Sequence, residues 1–583
     1  MVKSVLQKPL SQSNVSRNAF DVGYCNKFTS SLGMLLPCFV RECNPDEHYR
    51  INACMFTRTM PMNSAAFIQC TQHIEFFFVP YRLLWRDFPQ FITGTKYPTS
   101  LQDATVSPAS PSFDLAKIYN TFRSKLSASD STPAAGLGTD ILGYPKIQNA
   151  MRLLDLLGYG CYYTPESYDF APSAMNPFRL LAYQKICADF YRVANWENNR
   201  VKSWNIDGLP LDLTSTYNST VLQNFLDNYL CLHYRPWKKD LFTIASTQYQ
   251  GADYMSQTQT FAPPVLPNPG DSNGFNALYP STLNFNGLQG QLTSKVNSST
   301  NTKPAFTVSN LRSAFALDKL YRLMSQASDG DYKSQIKARY GFDAYAPQMR
   351  CQFVGSASSV IQVNPITSTA DTLSSAQTGF SGTPVGRIYG NGVSRGSDTF
   401  EFDTKEHGIL MGICSFVPDV DYSSYGVNIF NKKLSSSEYF QPEFDNLGKQ
   451  PLDASTLYLA KVPGSSGIHS PAVLGWIPRY SEYKTHIDEV HGQLNGNIFR
   501  SSSGAPTLSA WTAPRLAGFE DNMANFWCKD GLSKNFFYIN PGLFNSIFVN
   551  QYEGFQTQDQ FICEVNNNVQ AVLPMSVSGE PLI

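Results

Sequence analysis

Charged side chains are scarce in this sequence. Asp, Glu, Lys and Arg make up 16% of its 583 residues, whereas about 25% is usual for soluble globular chains. The formal net charge is −1, which excludes the overall basic field that marks many nucleic-acid-binding proteins. Because charge is depleted in interface cores, the composition favours a chain that buries much of its surface against partners. A plain β-rich protein with long Ser-, Thr- and Asn-rich loops would have the same composition.

The sequence also lacks paired cysteines, long apolar runs and a secretory segment. Its twelve cysteines include no Cys-x-x-Cys pair, so neither a zinc ribbon nor a redox motif is expected. Several lie on apolar strand faces, where free cysteine behaves as a small hydrophobe, and we expect buried, reduced thiols. No run of 18 or more apolar residues occurs, and no secretory hydrophobic region opens the chain. We therefore expect a soluble protein that is not exported by a recognisable signal.

Motifs of enzyme active sites are missing as well. There is no G-x-S-x-G elbow, no P-loop and no H-E-x-x-H, and the glycines of GNGVSRG (390–396) have the wrong spacing for a dinucleotide site. Ser481, His486 and Asp488 resemble parts of a triad, but one strand face cannot supply that geometry, so a polar interface patch is favoured. Asp419 and Asp421 suit either a Ca²⁺ loop or a solvated turn, and the turn is favoured. We predict that the protein is not an enzyme and has no cofactor.

The segment 17–94 is the most informative part of the chain. It indicates a series of β-strands that ends in an apolar strand, Ile74–Val79, followed by a short helix over Tyr81–Phe88. Up to residue 73 apolar and polar residues alternate, which is typical of a half-buried strand. At Phe76–Phe78 the alternation stops, so this strand must be covered on both faces. The cover is expected to be a second sheet, a helix or another subunit.

Strands are predicted again in the second half of the chain. The strongest is the apolar run 407–422, which Pro418 interrupts, and further strands are predicted over 457–462, 475–492, 536–540 and 560–577. Between the two β-rich parts, the pattern predicts helices over 151–157 and 177–196 and a helix pair over 311–341; Asn176 is expected to cap the helix over 177–196. Early and late strands must pair to close one core, as they do in a jelly roll. We predict a mainly β fold: a jelly-roll β-sandwich of two antiparallel sheets with long helical and loop insertions.

The predicted organisation has five parts. They are a basic amino-terminal arm (1–18), a jelly-roll core (19–94 plus 400–583), a loop and helix insertion (95–204), a surface insertion (205–305), and a helix pair with its connector (306–399). The surface insertion is long and rich in Ser, Thr, Asn, Gly and Pro, which favours a functional loop region over a disordered linker. Its aromatic residues would anchor such a region; the candidates for partner contact are Tyr249, Tyr254, Phe261, Phe275 and Tyr279.

Several segments resemble the major capsid protein of the Microviridae, in particular its gokushovirus-like branch. They are RNAFD (17–21), LLPCFVRECNPDEHYRI (35–51), FFFVPYRLLW with the FITG turn, EYFQPEFDNLGKQPL (438–452), LGWIPRYSEYKTHIDEVHG (474–492) and the carboxyl-terminal 559–583. The resemblance covers about two thirds of the chain. The residues that carry its two motifs are Phe76, Phe77, Phe78, Val79, Pro80, Arg82, Leu84, Trp85, Pro442, Glu443, Phe444 and Gly448.

This resemblance implies a bacteriophage virion protein. A jelly-roll capsid protein of this family would self-assemble through pentamers into a small icosahedral (T=1) shell around a circular single-stranded DNA genome. Its implied partners are further copies of itself, the genome, a DNA pilot protein, a small DNA-binding protein and the host cell surface. Assembly would take place in the cytoplasm of the host bacterium. The resemblance also implies that the middle insertion builds protrusions at threefold axes.

Two surface roles are predicted for particular residues. Lys3, Lys8 and Arg17, in an arm with no acid before Asp21, would face the DNA by neutralising phosphate. The 205–305 insertion mixes Tyr and Phe with Ser, Asn and Gly, as adaptable binding loops do, and is predicted to contribute to host attachment. A passive spacer or an inter-subunit clamp is the alternative for the insertion.

A different class of protein remains as an alternative to the capsid reading. A secreted or cell-surface β-sandwich that binds glycans, or a glycosidase, would also be rich in Tyr and Trp. The missing signal peptide and the unpaired cysteines argue against it. Size-exclusion chromatography separates the two hypotheses, because pentamers or shells indicate a capsid protein and a sugar-binding monomer indicates the alternative.

Overall fold

The structure is a computed structural model, and it does not describe every residue. The longer described stretches are 16–94, 109–125, 145–160, 174–207 (without 195 and 198), 225–246, 349–369, 385–423 (without 387), 426–457, 473–494 and 559–577. Shorter pieces are 140, 312, 316, 319, 336–337, 340–341, 511–512, 527–528, 531–532, 534–544, 547–548, 551–552 and 555–556. No helix within these stretches is long and apolar enough to cross a membrane.

The described part of the chain is dominated by strands. They are β1 (Asn18–Asp21), β2 (Tyr24–Ser30), β3 (Leu36–Cys43), β4 (His48–Thr59), β5 (Cys70–Pro80), β6 (Gln352–Thr367), β7 (Ile388–Asp403), β8 (Gly408–Pro418), β9 (Asp421–Ser423), β10 (Lys449–Asp453), β11 (Val473–Pro478), β12 (Asp488–Val490), β13 (Trp527–Cys528), β14 (Gly531–Leu532), β15 (Gln551–Tyr552), β16 (Phe555–Gln556) and β17 (Phe561–Leu573).

Short helices fill the connections. The α-helices are α1 (Tyr81–Leu84), α2 (Phe88–Thr93), α3 (Leu115–Lys125), α4 (Lys146–Leu156), α5 (Phe178–Ile186) and α6 (Ser481–Lys484); α5 continues into a π-helical turn, Cys187–Tyr191. Single 3₁₀ turns are Val201–Ser203, Ile429–Lys432, Ser436–Glu438, Pro442–Leu447, Ala454–Thr456, Gly492–Leu494, Lys534–Phe537 and Pro541–Phe544.

The large strands pair in a nested order. The first strands, β1 and β2, pair with the last, β17; β3 pairs with β8, β4 with β7, and β5 with β6, all antiparallel. The pairs β17–β4 and β5–β8 complete two sheets, ordered β1/β2-β17-β4-β7 and β6-β5-β8-β3. This arrangement is the double Greek key of a jelly roll. It confirms the predicted fold class.

One strand links the two sheets. Residues 352–361 of β6 pair with β5, and residues 362–367 pair with β7. The hydrogen-bonded path therefore curls over one edge of the sandwich. Because each half of β6 pairs with a different sheet, fewer strand edges stay open on this side of the sandwich, where they would be sites of unwanted association.

The first apolar layer lies between the two sheets. Side chains alternate along each strand, so the inward residues of both sheets meet in the middle. The ring of Phe416 in β8 stacks on that of Phe561 in β17, with centroids 4.1 Å apart. Phe76 meets Phe400 at 5.0 Å in the same layer. These contacts join early and late parts of the chain in one core.

A second apolar layer covers the outer face of the β5–β8 sheet. The outward residues Phe77 and Val79 of β5 are 1% and 0% exposed because the α4 and α5 region covers them. The Tyr183 hydroxyl of α5 donates to the Leu35 carbonyl oxygen at 2.9 Å. The prediction that both faces of Phe76–Phe78 must be covered is confirmed, with a sheet on one side and helices on the other.

No described element covers the outer face of the other sheet, which contains β1, β2, β17, β4 and β7. Along β17 every second side chain is buried, and the intervening ones are exposed or half-buried. The same alternation runs along β4. We call the outward side of β2, β17, β4 and β7 the open face.

The predicted helices differ from the observed ones in their limits. The single helix expected over Tyr81–Phe88 is wrong: the backbone is extended at Trp85, and a second helix, α2, begins with a proline in its first turn. The helix expected over 177–196 ends at Ile186 and closes with the π turn. Asn176 accepts a hydrogen bond from the Phe178 amide at 2.8 Å, as its capping role predicts.

Two predicted strands are also wrong in part. The run 475–492 forms β11, α6 and β12 because Pro478 ends the first strand and Tyr480 has a positive φ of 58°. The run 536–540 begins as a 3₁₀ turn, and its aromatic residues are buried. A short apolar run in a sequence cannot distinguish a buried turn of this kind from a buried strand. Residues 458–462 of the predicted strand 457–462 and most of the helix pair 311–341 lie outside the described residues.

Two of the five predicted regions contain residues that the structure places in the sheets or in the interior. The connector 306–399 contains β6 and most of β7, both of which belong to the main sheets. The segment 225–246 of the predicted surface insertion is packed inside, with Leu226, Tyr234 and Trp237 all below 7% exposed. Residues 208–224 and 247–305 of that insertion lie outside the described residues.

Candidate functional site

The residues of the first family motif lie in β5 and in the α1 region that follows it. Phe76 to Phe78 and Val79 lie in β5, Leu84 and Trp85 are buried beside α5, and Pro80 precedes α1. Arg82 donates two hydrogen bonds to the Glu406 carboxylate, at 2.6 and 3.0 Å. This bidentate pair fastens α1 to the turn before β8 and fixes the side of the sheet on which the helices begin.

The second motif forms part of the surface. Pro442, Glu443 and Phe444 lie in a 3₁₀ turn that Gly448 ends with a φ of +86°. A side chain would be strained in that conformation. Phe444 is 38% exposed, and the guanidinium carbon of Arg479 lies 5.7 Å from its ring centre.

Phe444 belongs to a larger group of exposed apolar side chains. They come from residues 430–444 and from α6, and are exposed to between 38% and 93%: Phe430, Leu434, Tyr439, Phe440, Phe444 and Tyr483. We call these six residues the aromatic surface. The rings of Phe430 and Tyr483 meet edge to face at 5.0 Å, and Phe440 lies 6.4 Å from Tyr483. Exposed apolar groups that cluster in this way mark interaction sites.

A buried ion pair holds the aromatic surface in shape. Lys433 Nζ lies 2.7 Å from Glu482 Oε1, and both side chains are about 5% exposed or less. The Lys433 ammonium also lies 4.3 Å from the ring centre of Tyr483 and 4.9 Å from that of Phe430. Burial lowers the pKa of Lys433, but hydrogen bonds to Glu482 and Tyr483 outweigh it and raise the pKa overall. The charge is therefore retained beneath the aromatic rings.

A capping box fixes the turn beside Leu434, the most exposed residue of the aromatic surface. The Glu438 carboxylate accepts hydrogen bonds from the amides of Leu434 (2.6 Å) and Ser435 (3.0 Å). These backbone donors lower the pKa of Glu438. The turn is thereby closed, and Leu434 projects into solvent with 93% of its surface exposed.

The acidic residues that suggested a calcium site have other partners. Lys238 donates to Asp419 Oδ1 at 2.6 Å, and Asp421 lies opposite Asp488 in the parallel β9–β12 pair. Burial, and then the charges of Asp488 and Asp419, raise the pKa of Asp421. Within the described stretches no three His, Cys, Asp or Glu side chains are placed to hold a metal ion.

The triad-like residues are not brought together. Ser481 lies in α6 and donates its hydroxyl to the Pro478 carbonyl oxygen at 2.6 Å. His486 Nδ1 contacts the backbone of Ile487, and Asp488 lies in β12. The expectation that His486 and Asp488 lie on one strand is wrong, since β12 begins at Asp488 and His486 lies between α6 and that strand.

A polar cavity beside α5 has its hydrogen bonds satisfied internally. It has a volume of about 310 Å³ and is lined in part by Gln184, Glu197, His233 and Tyr538. Gln184 donates to two backbone carbonyls and contacts His233 Nε2 at 2.6 Å, and the Tyr538 hydroxyl donates to Glu197 at 2.6 Å. These bonds join α5 to the 229–234 segment, and Glu197 to Tyr538, which is a structural role.

The described cysteines are free thiols, as predicted. Ten of them are free, and most are buried. Burial raises the pKa of Cys43, Cys231 and Cys414 to about 12 in each case. These thiols remain protonated at neutral pH and are poor nucleophiles.

The residues predicted to contact DNA and host are mostly outside the described stretches. Lys3 and Lys8 lie there, and so do Tyr249, Tyr254, Phe261, Phe275 and Tyr279. Arg17 is described, and its guanidinium pairs with Asp46. That carboxylate already neutralises the one arm cation that the structure shows.

Comparison with known proteins points in one direction. The family model described as "Capsid protein (F protein)" matches residues 10–126 and 170–583. The capsid protein VP1 of Chlamydia phage 1 is 23% identical, with 98% of this chain and 96% of the relative covered. The capsid protein VP1 of Bdellovibrio phage phiMH2K is 21% identical over 92% of this chain and 90% of the relative.

Proposed function

The chain belongs to the capsid protein (F protein) family of bacteriophages, and from this membership we propose that it assembles through pentamers into a small icosahedral (T=1) shell around a circular single-stranded DNA genome. It is a major capsid protein of the Microviridae type, a structural component of the virion rather than an enzyme. The glycan-binding alternative has no support from these relatives.

The observation that supports assembly most directly is the aromatic surface. Interface cores are rich in aromatic residues and Arg and poor in charge, and this surface combines five rings with Leu434 and the adjacent Arg479. Arg479 Nε is buried and has no hydrogen-bond partner among the described residues. A second copy of the chain that covers this surface would remove the exposed apolar area from water. It would also offer acceptors to the guanidinium.

The shape of the surface suits a repeated contact. The buried Lys433–Glu482 pair and the Glu438 cap fix the backbone before any partner binds. Little conformational entropy is then lost on association, which strengthens binding without additional contacts. A shell that uses the same contact many times gains this advantage at each interface.

We expect the double variant Leu434→Ser/Phe440→Ser to fold and to fail in assembly. Leu434 is 93% exposed and Phe440 is 49% exposed, so their removal costs the isolated subunit little. At an interface centre, each truncation typically costs about 2 kcal/mol or more. Analytical ultracentrifugation and negative-stain microscopy would show subunits or pentamers in place of shells.

The matched control is Val577→Ser, which removes an apolar side chain that is 76% exposed and distant in sequence from the aromatic surface. It should leave shell formation unchanged. Normal shells from the double variant would contradict the proposed contact.

The remaining parts of the proposal concern partners and attachment. We propose that residues 247–305 contribute to an outward projection, clustered where three subunits meet, that contacts the host surface. We also propose contacts with a DNA pilot protein and a small DNA-binding protein, and assembly in the host cytoplasm. The support is the family membership together with the loop-like composition of 247–305. Particles with 247–305 replaced by a short Gly/Ser link would test attachment, since unimpaired adsorption would contradict it.

A further inference from the structure

The open face carries an aromatic ring between two guanidinium groups. In the β4 register, Phe56 lies opposite Arg395 of β7 on one side and Glu564 of β17 on the other. The guanidinium carbons of Arg58 and Arg395 lie 5.2 and 5.5 Å from the centre of the Phe56 ring. Neither arginine has an ion-pair partner within the described residues. Two positive charges and three planar groups are thus presented together on the open face.

The surrounding residues divide the open face into two halves. Of the two described residues that lie opposite Phe56 in the neighbouring strands, Glu564 is the one with a carboxylate. Its Oε2 lies 4.0 Å from Lys27 Nζ. Because Lys27 balances the charge of Glu564, the positive charges of Arg58 and Arg395 give this part of the face a net positive charge. At the other end, Arg50 lies opposite Glu401, and His48 contacts Asp403 at 2.6 Å. The positive half is therefore the one that contains Phe56.

Uncharged hydrogen-bonding groups continue the positive half along the sheet. Asn566 and Asn568 of β17 point to the same side as Glu564, because side chains two residues apart share a face, and both are exposed. Asn52 of β4 lies opposite Asn568. Amide side chains can donate to phosphate oxygens and accept from bases.

The two sides of the sandwich differ in what covers them. Helices from the long β5–β6 connection cover the outer side of the β5–β8 sheet, whereas the open face has no such cover in the described stretches. In a closed shell with the insertions outward, the open face would be turned toward the enclosed genome. This orientation rests on the proposed shell function.

We propose that the positive half of the open face, centred on Phe56, Arg58 and Arg395, binds single-stranded DNA. The two guanidinium groups neutralise backbone phosphates, and the ring and guanidinium planes stack against unpaired bases. The contact is independent of sequence because every base has a stacking face. A double helix offers no such free base faces, because its bases are stacked on one another.

Binding of a fluorescein-labelled oligothymidine to the full-length, unassembled chain tests this proposal. The variant Arg58→Gln/Arg395→Gln should weaken binding and should reduce the slope of log K against log salt by about 1.4, since each lost single-strand phosphate contact contributes about 0.7. Phe56→Leu keeps an apolar side chain but loses stacking, and should weaken binding about fivefold or more. Arg50→Gln, which removes one positive charge from the other half, should leave affinity and slope near the wild-type values.

The outcomes separate this inference from the shell function. Unchanged affinity and salt slope in the double arginine variant would overturn the inference, even if shells still form. If the arginine and Phe56 variants instead alter subunit association and leave DNA binding intact, the open face is an interface between copies and the inference is also wrong. Loss of shells with DNA binding retained in the Leu434→Ser/Phe440→Ser variant would leave the inference standing and support the aromatic surface as the assembly contact. If Phe56→Leu does not fold, as shown by its thermal melt, the arginine variant alone decides.

Discussion

Deletion of residues 560–577 is expected to abolish soluble folding of the whole chain. These residues contain β17, which is hydrogen-bonded to β1 and β2 along one side and to β4 along the other. Its inward side chains, among them Phe561, Val565 and Val569, form part of the layer between the sheets. Without the strand, β1 and β2 lose the one strand with which they pair, β4 loses one of its two partners, and the core opens. A truncated protein that is soluble and melts cooperatively would contradict the jelly roll.

A matched pair of point variants tests the same strand without truncation. Val565 is fully buried, and its neighbour Asn566 is exposed. Val565→Asp would bury an unpaired charge and should prevent folding, because the cost of that charge is comparable to the whole stability of a typical domain, about 5–15 kcal/mol. Asn566→Asp adds the same charge on the open face and should fold. Circular dichroism melts of the two proteins distinguish the faces.

The second large effect is expected from Lys185→Met. Lys185 Nζ lies 2.9 Å from Asp189 Oδ1, and the two side chains are only 3% and 7% exposed. The ammonium also donates to the Met349 carbonyl oxygen and lies 3.9 Å from the Trp204 ring centre, while Asp189 Oδ2 accepts from the Cys351 amide. This cluster joins the π turn after α5 to the start of β6.

Loss of the ammonium leaves the Asp189 carboxylate buried without its counter-charge. We expect a loss of about 3–5 kcal/mol in the free energy of unfolding, measured as a lower denaturation midpoint. The matched control is Lys117→Met, which breaks the partly exposed Lys117–Asp114 pair at the start of α3 and should cost less than about 1 kcal/mol. Similar midpoints for the two variants would show that the helical layer does not depend on the buried pair.

Part of this fold could be predicted because some strands have a recognisable pattern of apolar residues. The continuous apolar run of β8 and the two-sided burial of Phe76–Phe78 are visible in the sequence. β6 could not be recognised in the same way, because its Ser-rich sequence is mostly exposed and only residues such as Ala357 and Ile361 are buried. Its place in the fold is set by pairing with β5 and β7, which are distant in sequence.

The candidate sites show the same limit. The resemblance identified Phe444 and Gly448 as motif residues, but nothing local indicated that Phe444 is exposed beside Phe440 and Tyr483. The pair Lys433–Glu482 joins residues 49 positions apart. The alternation in β4 does place Phe56 and Arg58 on one face, and could have drawn attention to them. The position of Arg395 beside that ring depends on the β4–β7 register.

Electron cryo-microscopy of particles assembled from the full chain tests the central claim most directly. The account predicts closed icosahedral shells in which a neighbouring copy covers Phe440 and Leu434, and in which the sheet surface around Phe56 lines the interior. Shells in which the aromatic surface is free in solvent and the open face lies on the outside would contradict it.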